Sequence, residues 1–403
     1  MGGYLLGVVL FALGIAVTIA LHEAGHMFTA RAFDMRVRRY FIGFGPTVWS
    51  VRRGHTTYGV AALPLGGFCE IAGMTGQEPV TEEEKPHAMV NKPWWQRVAV
   101  LSGGVVVNVI VGVTIIYGLA VTSGLPNPDV DTTPTVGEVS CVSDQTGPET
   151  LADCSGVGPA GEAGVQVGDR ILALDGQEME SFTQLRDTVL TRPGEDVVFT
   201  VERDGQTLDV TVPVAPVTRL DAAGNEITAG AVGLSNAPLE NAWVSYGPVA
   251  AVGATGAFTW DLLDATVRGL ASFPAKIPGV VASIFGAERD IEGPMSVVGA
   301  SRVGGELVER SLWNMFWMML ASLNFFLALF NLVPLPPLDG GHIAVVLWEK
   351  VRDFFRRLRG LAPAGPANYE KLLPVTYAMA AVLMVIGGLV IVADVVNPVR
   401  LFG

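Results

Sequence analysis

The segment Leu21-His22-Glu23-Ala24-Gly25-His26 combines residue types whose spacing could hold a metal ion and move a proton. In an α-helix, residues i and i+4 lie about 40° apart around the axis and about 6 Å apart along it. His22 and His26 would therefore point in the same direction, at a separation that one zinc ion can bridge. Glu23 lies beside them, as in the H-E-x-x-H pattern, where the glutamate acts as general base. A polar network without metal is the alternative interpretation.

A catalytic zinc usually takes three ligands from the protein, so a third ligand should lie elsewhere in the chain. The best candidate is Asp339, which follows an apolar run and the proline-rich stretch that ends it. A carboxylate is a usual partner for two histidines. Asp339 would also suit the N-cap of the helix predicted over Gly340–Leu358. His342, three residues later, is a weaker competitor for the ligand role.

These candidate ligands lie in or next to long apolar segments. The chain has 403 residues, of which 50% are hydrophobic and 16% are charged, which is typical of a membrane protein with a soluble portion. A membrane-spanning helix needs about 20 apolar residues. Four runs are long enough, so we predict a polytopic α-helical membrane protein with about four transmembrane helices: roughly Tyr4–Ala30, Val98–Val121, Leu312–Val333 and Val375–Val396.

Charge predicts how these spans are oriented. The segments after the first and third spans are rich in Arg and Lys, which marks them as cytoplasmic. The region after the second span, and both termini, would then be extracytoplasmic. Residues 121–311 contain 27 acidic and 10 basic residues, which argues against nucleic acid as a partner. The first apolar run lacks a basic leader and carries the candidate ligands, so we expect no cleavable signal peptide.

The loop after the first span contains β-branched and aromatic stretches within Tyr40–Leu63, separated by turn residues such as Arg53-Gly54. This pattern predicts a small β-hairpin or sheet. The segment is too apolar for an ordinary loop, so it either dips into the membrane against the helices or lies on the membrane surface. Within Pro64–Phe68, Gly66 and Gly67 predict a close backbone approach. In the second span, Asn108 could bond across a helix interface, and packing is the role that we favour for it.

Residues 125–215 have the pattern of an extracytoplasmic α+β domain. A strand is predicted at Thr135–Val142, Ala163–Gly176 predicts a tight turn, a strand and a second turn, and an amphipathic helix is predicted over Ser181–Leu190. The Asp204-Gly205 turn predicts a hairpin of Val197–Arg203 with Thr207–Val212. Cys141 and Cys154 are close enough in sequence for a disulfide worth about 3 kcal/mol, with two buried free thiols as the alternative.

Four regions follow from these patterns. Residues 1–124 would hold two spans and the β loop, residues 125–215 the α+β domain, and residues 312–403 the last two spans. In residues 216–311 we predict a linker rich in Pro, Ala and Gly up to residue 240. Interfacial amphipathic helices, interrupted at Pro274 and Pro278, would follow over Trp260–Phe285.

Two resemblances add to this interpretation. The stretch Ala163–Gly176 resembles the signature of bacterial, circularly permuted PDZ domains, which implies a groove for an extended peptide. His-Glu-Ala-Gly-His at 22–26, Asn-Leu-Val-Pro-Leu-Pro-Pro-Leu-Asp-Gly-Gly at 331–341 and a single intervening PDZ domain together resemble the site-2 protease family of RseP-type intramembrane zinc metalloproteases. The resemblance implies that three residues bind one Zn²⁺, namely His22, His26 and Asp339. It also implies that Glu23 is the base. It further implies substrate contacts from the β loop and the third span: Gly43, Gly66, Gly67 and Asn331.

The family resemblance also implies a setting in the cell. The protein would reside in the bacterial plasma membrane, with its active site near the cytoplasmic side and its PDZ domain outside. Its substrate would be a single-span membrane protein, such as an anti-sigma factor, already trimmed by a site-1-type protease. Two other functions stay open: a membrane metallopeptidase for quality control or tail trimming, and a non-catalytic PDZ adaptor.

Overall fold

The computed structural model describes residues 2–147, 150–220, 225–399 and 401, without the side chains of residues 64 and 65. The chain forms two units. The helical unit comprises residues 1–124, 245–285 and 289–402, and the strand-rich unit comprises residues 125–244 with 286–288. The helices are α1 Gly2–Ala32, α2 Trp94–Leu101, α3 Gly103–Thr122, α4 Gly158–Glu162, α5 Phe182–Leu190, α6 Pro248–Ile284, α7 Val297–Glu309, α8 Trp313–Leu332, α9 Asp339–Leu358 and α10 Leu373–Val396.

The strands divide between the two units. Two long strands belong to the helical unit, and they are β1 Val37–Arg53 and β2 Thr56–Ile71. The strand-rich unit holds β3 Leu125–Pro126, β4 Val136–Val139, β5 Gln145–Gly147, β6 Thr150–Leu151, β7 Arg170–Leu174, β8 Gln177–Glu178, β9 Asp196–Arg203, β10 Gln206–Pro213, β11 Ala215–Leu220, β12 Glu226–Ala231, β13 Leu234–Asn236 and β14 Trp243–Val244.

Four helices are long and apolar enough to cross a membrane, namely α1, α3, α8 and α10. They match the four predicted spans. Helix α1 is apolar on all sides, which is the pattern of a helix with lipid on one face and protein on the other. Its exposed face carries large aliphatic residues, whereas its buried face carries Phe11, Ile15, Thr18 and both histidines of the candidate site.

Glycines allow α1 and α3 to approach closely. A Cβ on Gly25 would lie 2.3 Å from the carbonyl oxygen of Gly103, and a Cβ on Gly103 would lie 2.6 Å from that of Gly25. Small residues at such contacts are the usual basis of helix packing in membranes. The predicted second span begins later than expected, since the helix is interrupted at Ser102 and α2 precedes it. On its far side, α3 packs Gly112 against the ring of Phe325 in α8.

Helix α6 differs from the prediction of separate helices around two prolines. It runs continuously over 37 residues, with Pro274 and Pro278 inside it, and it packs against α3, α8 and α10. Each proline removes only one backbone hydrogen bond, and the four-residue spacing puts both prolines on one face. Tertiary packing therefore outweighs the two local losses.

The first loop folds into a sheet, as predicted, but with more strand segments than a simple hairpin. Residues 39–42 of β1 pair with residues 57–60 on one side and with residues 67–70 on the other. Residues 47–53 pair with the remaining side of the 56–61 segment. The two long strands thus bend back on themselves into four segments, and residues 67–70 form one edge.

The strand-rich unit has its own core and a four-stranded sheet of order β10–β9–β7–β8. The hairpin at Asp204-Gly205, the helix capped by Ser181 and the Cys141–Cys154 disulfide are all confirmed. The linker predicted from residue 215 onward is wrong. Strands β11 and β12 pair as a hairpin, and β13 pairs with β4. Three small apolar side chains of this segment are buried and belong to the core: Val217, Ala229 and Val232.

Candidate metal centre

Two turns of α1 and the first residue of α9 bring three ligand atoms together. The Nε2 atoms of His22 and His26 lie 3.3 Å apart, and each lies 3.3 Å from Oδ2 of Asp339. Both histidines are buried, and the Asp339 side chain is 18% exposed. Asp339 is 317 residues from His22 in sequence, so the juxtaposition is a product of the fold.

The spacing fits a zinc ion. Tetrahedral ligands about 2.0–2.1 Å from Zn²⁺ lie about 3.3 Å from each other, which is the separation of all three pairs here. The imidazole of His26 donates from Nδ1 to the carbonyl oxygen of Val100 at 2.8 Å, so its Nε2 presents a lone pair to the centre. A carboxylate oxygen and an imidazole lone pair repel unless a cation lies between them. A single proton can bridge only one of the three pairs.

Asp339 reaches the histidines because the chain turns sharply between α8 and α9. A Cβ on Gly340 would lie 2.3 Å from the carbonyl oxygen of Leu332, and a Cβ on Gly341 would lie 2.7 Å from that of Leu335. Both positions therefore need glycine. Asp339 is the first residue of α9 and Leu338 is its N-cap, so the N-cap role considered for Asp339 is not the one adopted.

Helix α9 is fixed by a buried ion pair. Arg97 of α2 donates to Oε2 of Glu349 at 2.7 Å, and the backbone N–H of Ala367 donates to Oε1 of the same carboxylate. Both charged side chains are less than 10% exposed. A buried pair with its remaining oxygen satisfied holds one relative position of its two helices. This contact holds α9 against α2.

Glu23 lies next to the edge of the first-loop sheet. A Cβ on Gly67 would lie 3.0 Å from Cγ of Glu23, and the backbone N–H of Cys69 interacts with the carboxylate. Tyr40 donates from its hydroxyl to the carbonyl oxygen of Ala20 at 2.7 Å, which attaches the sheet to α1. The general-base candidate therefore faces both the ligand cluster and a strand edge.

Arg38 connects the sheet to the segment that leads into α2. It donates to both carboxylate oxygens of Glu84, at 2.8 and 2.7 Å. This bidentate hydrogen bond lowers the pKa of Glu84 to about 2. The carboxylate therefore stays ionised at neutral pH, and the ion pair attaches the sheet to the segment that precedes α2.

The remaining candidates, proposed for contact with the substrate, lie in the first-loop sheet and in α8. Gly66 precedes Gly67 and packs against Phe44, with φ of +145°. Gly43 approaches the backbone of Ala61 and Leu63, so its glycine is needed for the bend of the sheet itself. Asn331 donates to the carbonyl oxygen of Leu327 in its own helix at 3.0 Å.

His342, the competing ligand, lies outside the cluster. Its ring stacks on Tyr369, with Nδ1 3.4 Å from the hydroxyl oxygen. Among the described residues, the only group of three His, Cys, Asp or Glu side chains with convergent ligand atoms is His22, His26 and Asp339.

Sequence reasoning missed residues that shape the site from α2 and α3. The Cβ position of Gly104 lies 2.6 Å from Cε1 of His22 and from Nε2 of His26, so its missing side chain makes room for both rings. Val100 contributes through its carbonyl oxygen, which every residue type has, and no sequence signal could identify it. The Ser102-Gly103-Gly104 run is typical of close helix packing, but it does not indicate which helix is the partner.

Comparison with known proteins agrees with this geometry. A model of peptidase family M50 matches residues 10–362, which include all three candidate ligands. The chain is 47% identical over 403 residues to zinc metalloprotease Rip1 of Mycolicibacterium smegmatis, covering 98% of this chain and 99% of the relative. It is 44% identical over 404 residues to zinc metalloprotease Rip1 of Mycobacterium tuberculosis, covering 99% of each. It is 28% identical to metalloprotease MmpA of Caulobacter vibrioides, covering 87% and 88%. Because the family match spans both ligand-bearing segments and these relatives align over almost their full length, the chain belongs to peptidase family M50, the site-2 protease family.

Proposed function

We propose that this membrane zinc metallopeptidase cuts single-span membrane proteins within the membrane. The observation that carries the proposal is the convergence of the three ligand atoms at 3.3 Å, next to Glu23 and between apolar helices. Two histidines and a carboxylate form a common ligand set of catalytic zinc sites. The names of its close relatives support zinc as the metal.

Zinc bound at this site would supply a Lewis acid and would lower the pKa of bound water to about 7. Glu23 would accept the proton of the attacking water and later donate it to the leaving amine, which is general acid–base catalysis. Its position supports this role, because it is adjacent in sequence to one ligand and lies against Gly67 in space. His22, His26 and Asp339 would fix the reacting centre.

The edge strand would hold the substrate. A helical substrate hides its carbonyl groups, so it must unwind before cleavage, and its freed backbone groups need partners where water is scarce. Residues 67–70 form a sheet edge beside Glu23, and none of the described strands pairs with their outer side. Strand addition at this edge would satisfy the substrate backbone and present a peptide bond to Glu23. Gly66 and Gly67 would allow the close approach, and Gly43 would keep the sheet bent.

Asn331 would bind the substrate backbone near the cleaved bond. Its amide donates within α8 in the present structure, but its carbonyl oxygen is available on the same side chain, eight residues before Asp339. An amide can donate and accept at once, which suits a peptide backbone. A donor near the reacting carbonyl would also stabilise negative charge there.

The strand-rich unit would act as an extracytoplasmic PDZ domain. Its β10–β9–β7–β8 order and the capped helix α5 support that fold. It would either bind a chain end or exclude large ectodomains, so that only a substrate trimmed by an earlier site-1-type protease reaches the site. An anti-sigma factor in the bacterial plasma membrane is one substrate of this kind. The termini would then be extracytoplasmic and the metal centre near the cytoplasmic side.

The test uses purified protein in lipid vesicles with a single-span reporter that lacks its ectodomain. We expect wild-type protein to cut inside the reporter's span, as mapped by mass spectrometry of the products. Glu23→Gln should retain zinc by elemental analysis and lose about 10²–10⁴-fold in rate. Cleavage only outside the span would favour a quality-control or tail-trimming peptidase. Unchanged cleavage by Glu23→Gln would exclude the proposed base.

A further inference from the structure

The ring of His22 has one nitrogen at the ligand cluster and one without a partner. Nε2 faces Asp339 at 3.3 Å, so Nε2 is the ligand atom and Nδ1 carries the proton. Nδ1 is buried and has no hydrogen-bond partner in the part of the chain that the structure describes. A histidine that binds a metal almost always donates its second N–H to an acceptor, as His26 does to Val100. The acceptor for His22 must therefore be found.

The buried side chain of Asn108 in α3 also lacks hydrogen-bond partners among the described residues. Its side chain is 0% exposed, and neither Oδ1 nor Nδ2 has a partner among the described residues. A buried amide with both groups unpaired is costly and rare in native proteins. It is also expensive in an apolar helix that lies between other helices. Packing alone would be served better by leucine, so the amide requires a functional explanation.

The register of the helices brings these two residues together. Contacts of α1 with α2 and α3 run antiparallel, from His26 with Val100, through Gly25 with Gly103, to His22 with Gly104. The Cβ position of Gly104 lies 2.6 Å from Cε1 and 2.7 Å from Nε2 of His22, so the ring packs against α3, and Nδ1 is bonded to the same Cε1. Asn108 is the next residue after Gly104 on the same face of α3, one turn further along.

We infer that Asn108 is a positioning residue for the metal centre. Its Oδ1 accepts the Nδ1–H of His22 when zinc is bound, as the carbonyl oxygen of Val100 accepts from His26. Gly104 then lies between two acceptors, each one turn away from it along the chain. This inference rests on the zinc site of the proposed function, and it assigns the contact that fixes the tautomer and the orientation of His22.

Asn324 of α8 is the rival acceptor and serves as the matched control. It is also 0% exposed, with Oδ1 unpaired in the described part of the chain. Its Nδ2 donates to Oγ1 of Thr18 at 3.2 Å and to the carbonyl oxygen of Leu320 at 2.8 Å. These bonds hold Asn324 against Thr18 and its own helix α8, whereas Asn108 belongs to α3, the helix whose Gly104 touches the ring of His22. Removal of the Asn324 amide should leave the His22 contact intact.

The experiment measures zinc affinity of the purified full-length protein by competition with a chelator. Asn108→Leu, which keeps the volume and removes the acceptor, should weaken zinc binding about 10- to 100-fold. Asn108→Asp, which keeps an acceptor, should bind zinc within a few-fold of wild type. Asn324→Leu should bind zinc as wild type does. Absorption spectra of the cobalt-loaded proteins should change for Asn108→Leu alone, because only there does the His22 ring lose its orientation.

Several results would overturn the inference. These are wild-type affinity in Asn108→Leu, equal losses in Asn108→Leu and Asn324→Leu, or a loss in Asn108→Asp as large as that in Asn108→Leu. If Asn108→Leu does not fold, Asn108→Ala, which also removes the acceptor, takes its place in each of these comparisons. If the wild-type protein binds zinc and Asn108→Leu binds it with the same affinity, only this inference is refuted. A wild-type protein without zinc refutes the proposed function as well.

Discussion

At the residue scale, the metal centre depends on a carboxylate that comes from a separate segment. Oδ2 of Asp339 lies 3.3 Å from both imidazole nitrogens, and no other His, Cys, Asp or Glu of the described residues completes the cluster. Two histidines alone leave zinc with too few protein ligands for a catalytic site. Asp339 should therefore decide whether the metal is held.

The first prediction is that Asp339→Ala loses tightly bound zinc, with affinity reduced more than about 100-fold, because a direct ligand contributes more than the neighbours that orient it. His342→Phe is the control, since it keeps the stacking on Tyr369 and lies three residues away. It should retain one zinc per chain. Elemental analysis after gel filtration measures both variants, and full occupancy in Asp339→Ala would contradict the ligand assignment.

The sequence predicted the ligands better than their supports. His22 and His26 follow a four-residue spacing that any helix converts into one direction, and Asp339 lies in a stretch whose glycines permit a sharp turn. These signals are local, although the meeting of the three side chains depends on the fold. The bond from His26 to the carbonyl oxygen of Val100 involves a group common to every residue type, so only the packing of α1 against α2 reveals it. For Asn108 the sequence showed a polar residue in a span, but not the residue that it faces.

At the scale of elements, the site exists because α1 and α3 are in near contact. The Cβ position of Gly104 lies 2.6 Å from ring atoms of both histidines, which is closer than real Cβ atoms approach. At Gly25, the neighbouring Gly103 carbonyl leaves no room for a side chain between α1 and α3. A single added methyl group at position 104 must therefore displace the rings.

The second prediction compares two glycines of the same helix. Gly104→Ala should weaken zinc binding by about 10- to 100-fold or more, because the rings must move away from Asp339. Gly118→Ala should not, because its Cβ would meet no heavy atom within 4 Å and alanine favours the helix by up to about 1 kcal/mol. Chelator competition and thermal unfolding on both variants check this. Equal zinc affinity in the two would show that the helices are not packed as described.

Sequence patterns gave wrong predictions for two elements. Pro274 and Pro278 predicted breaks, yet α6 continues because contacts with three other helices outweigh two missing hydrogen bonds. Residues 215–240 predicted a linker by composition, yet they form paired strands with Val217, Ala229 and Val232 buried. In both cases, long-range packing that composition does not report decided the outcome.

At the scale of the whole molecule, the chain divides into a helical unit that holds the metal centre and a strand-rich unit with a separate core. Residues 125–244 of the latter are continuous in sequence and carry the Cys141–Cys154 disulfide, which closes a short loop and stabilises the unit by about 3 kcal/mol. We therefore expect this segment to unfold independently of the metal centre. Its stability should depend on pH through a buried carboxylate.

That carboxylate is Asp169, whose side chain is 1% exposed and accepts two hydrogen bonds from Arg203, at 2.7 and 2.6 Å, and one from the N–H of Gln166. Burial raises the pKa of Asp169, but these hydrogen bonds outweigh it and hold the pKa below its ordinary value of 3.8. A lowered folded-state pKa contributes stability that is present above about pH 4 and lost as the pH falls below it. Breaking such a pair by removing one charge costs about 3 kcal/mol.

The third prediction is tested by urea unfolding of residues 125–244, produced alone under oxidising conditions, between pH 7 and pH 3. The wild-type segment should unfold cooperatively and lose stability below about pH 4. Asp169→Asn should be less stable at pH 7 by about 3 kcal/mol and should lose less on acidification, because its side chain has no proton to gain. Asp187→Asn removes an exposed carboxylate paired with Arg186 and should change stability by less than about 1 kcal/mol. If Asp169→Asn and Asp187→Asn behave alike, the buried pair is not what stabilises this unit.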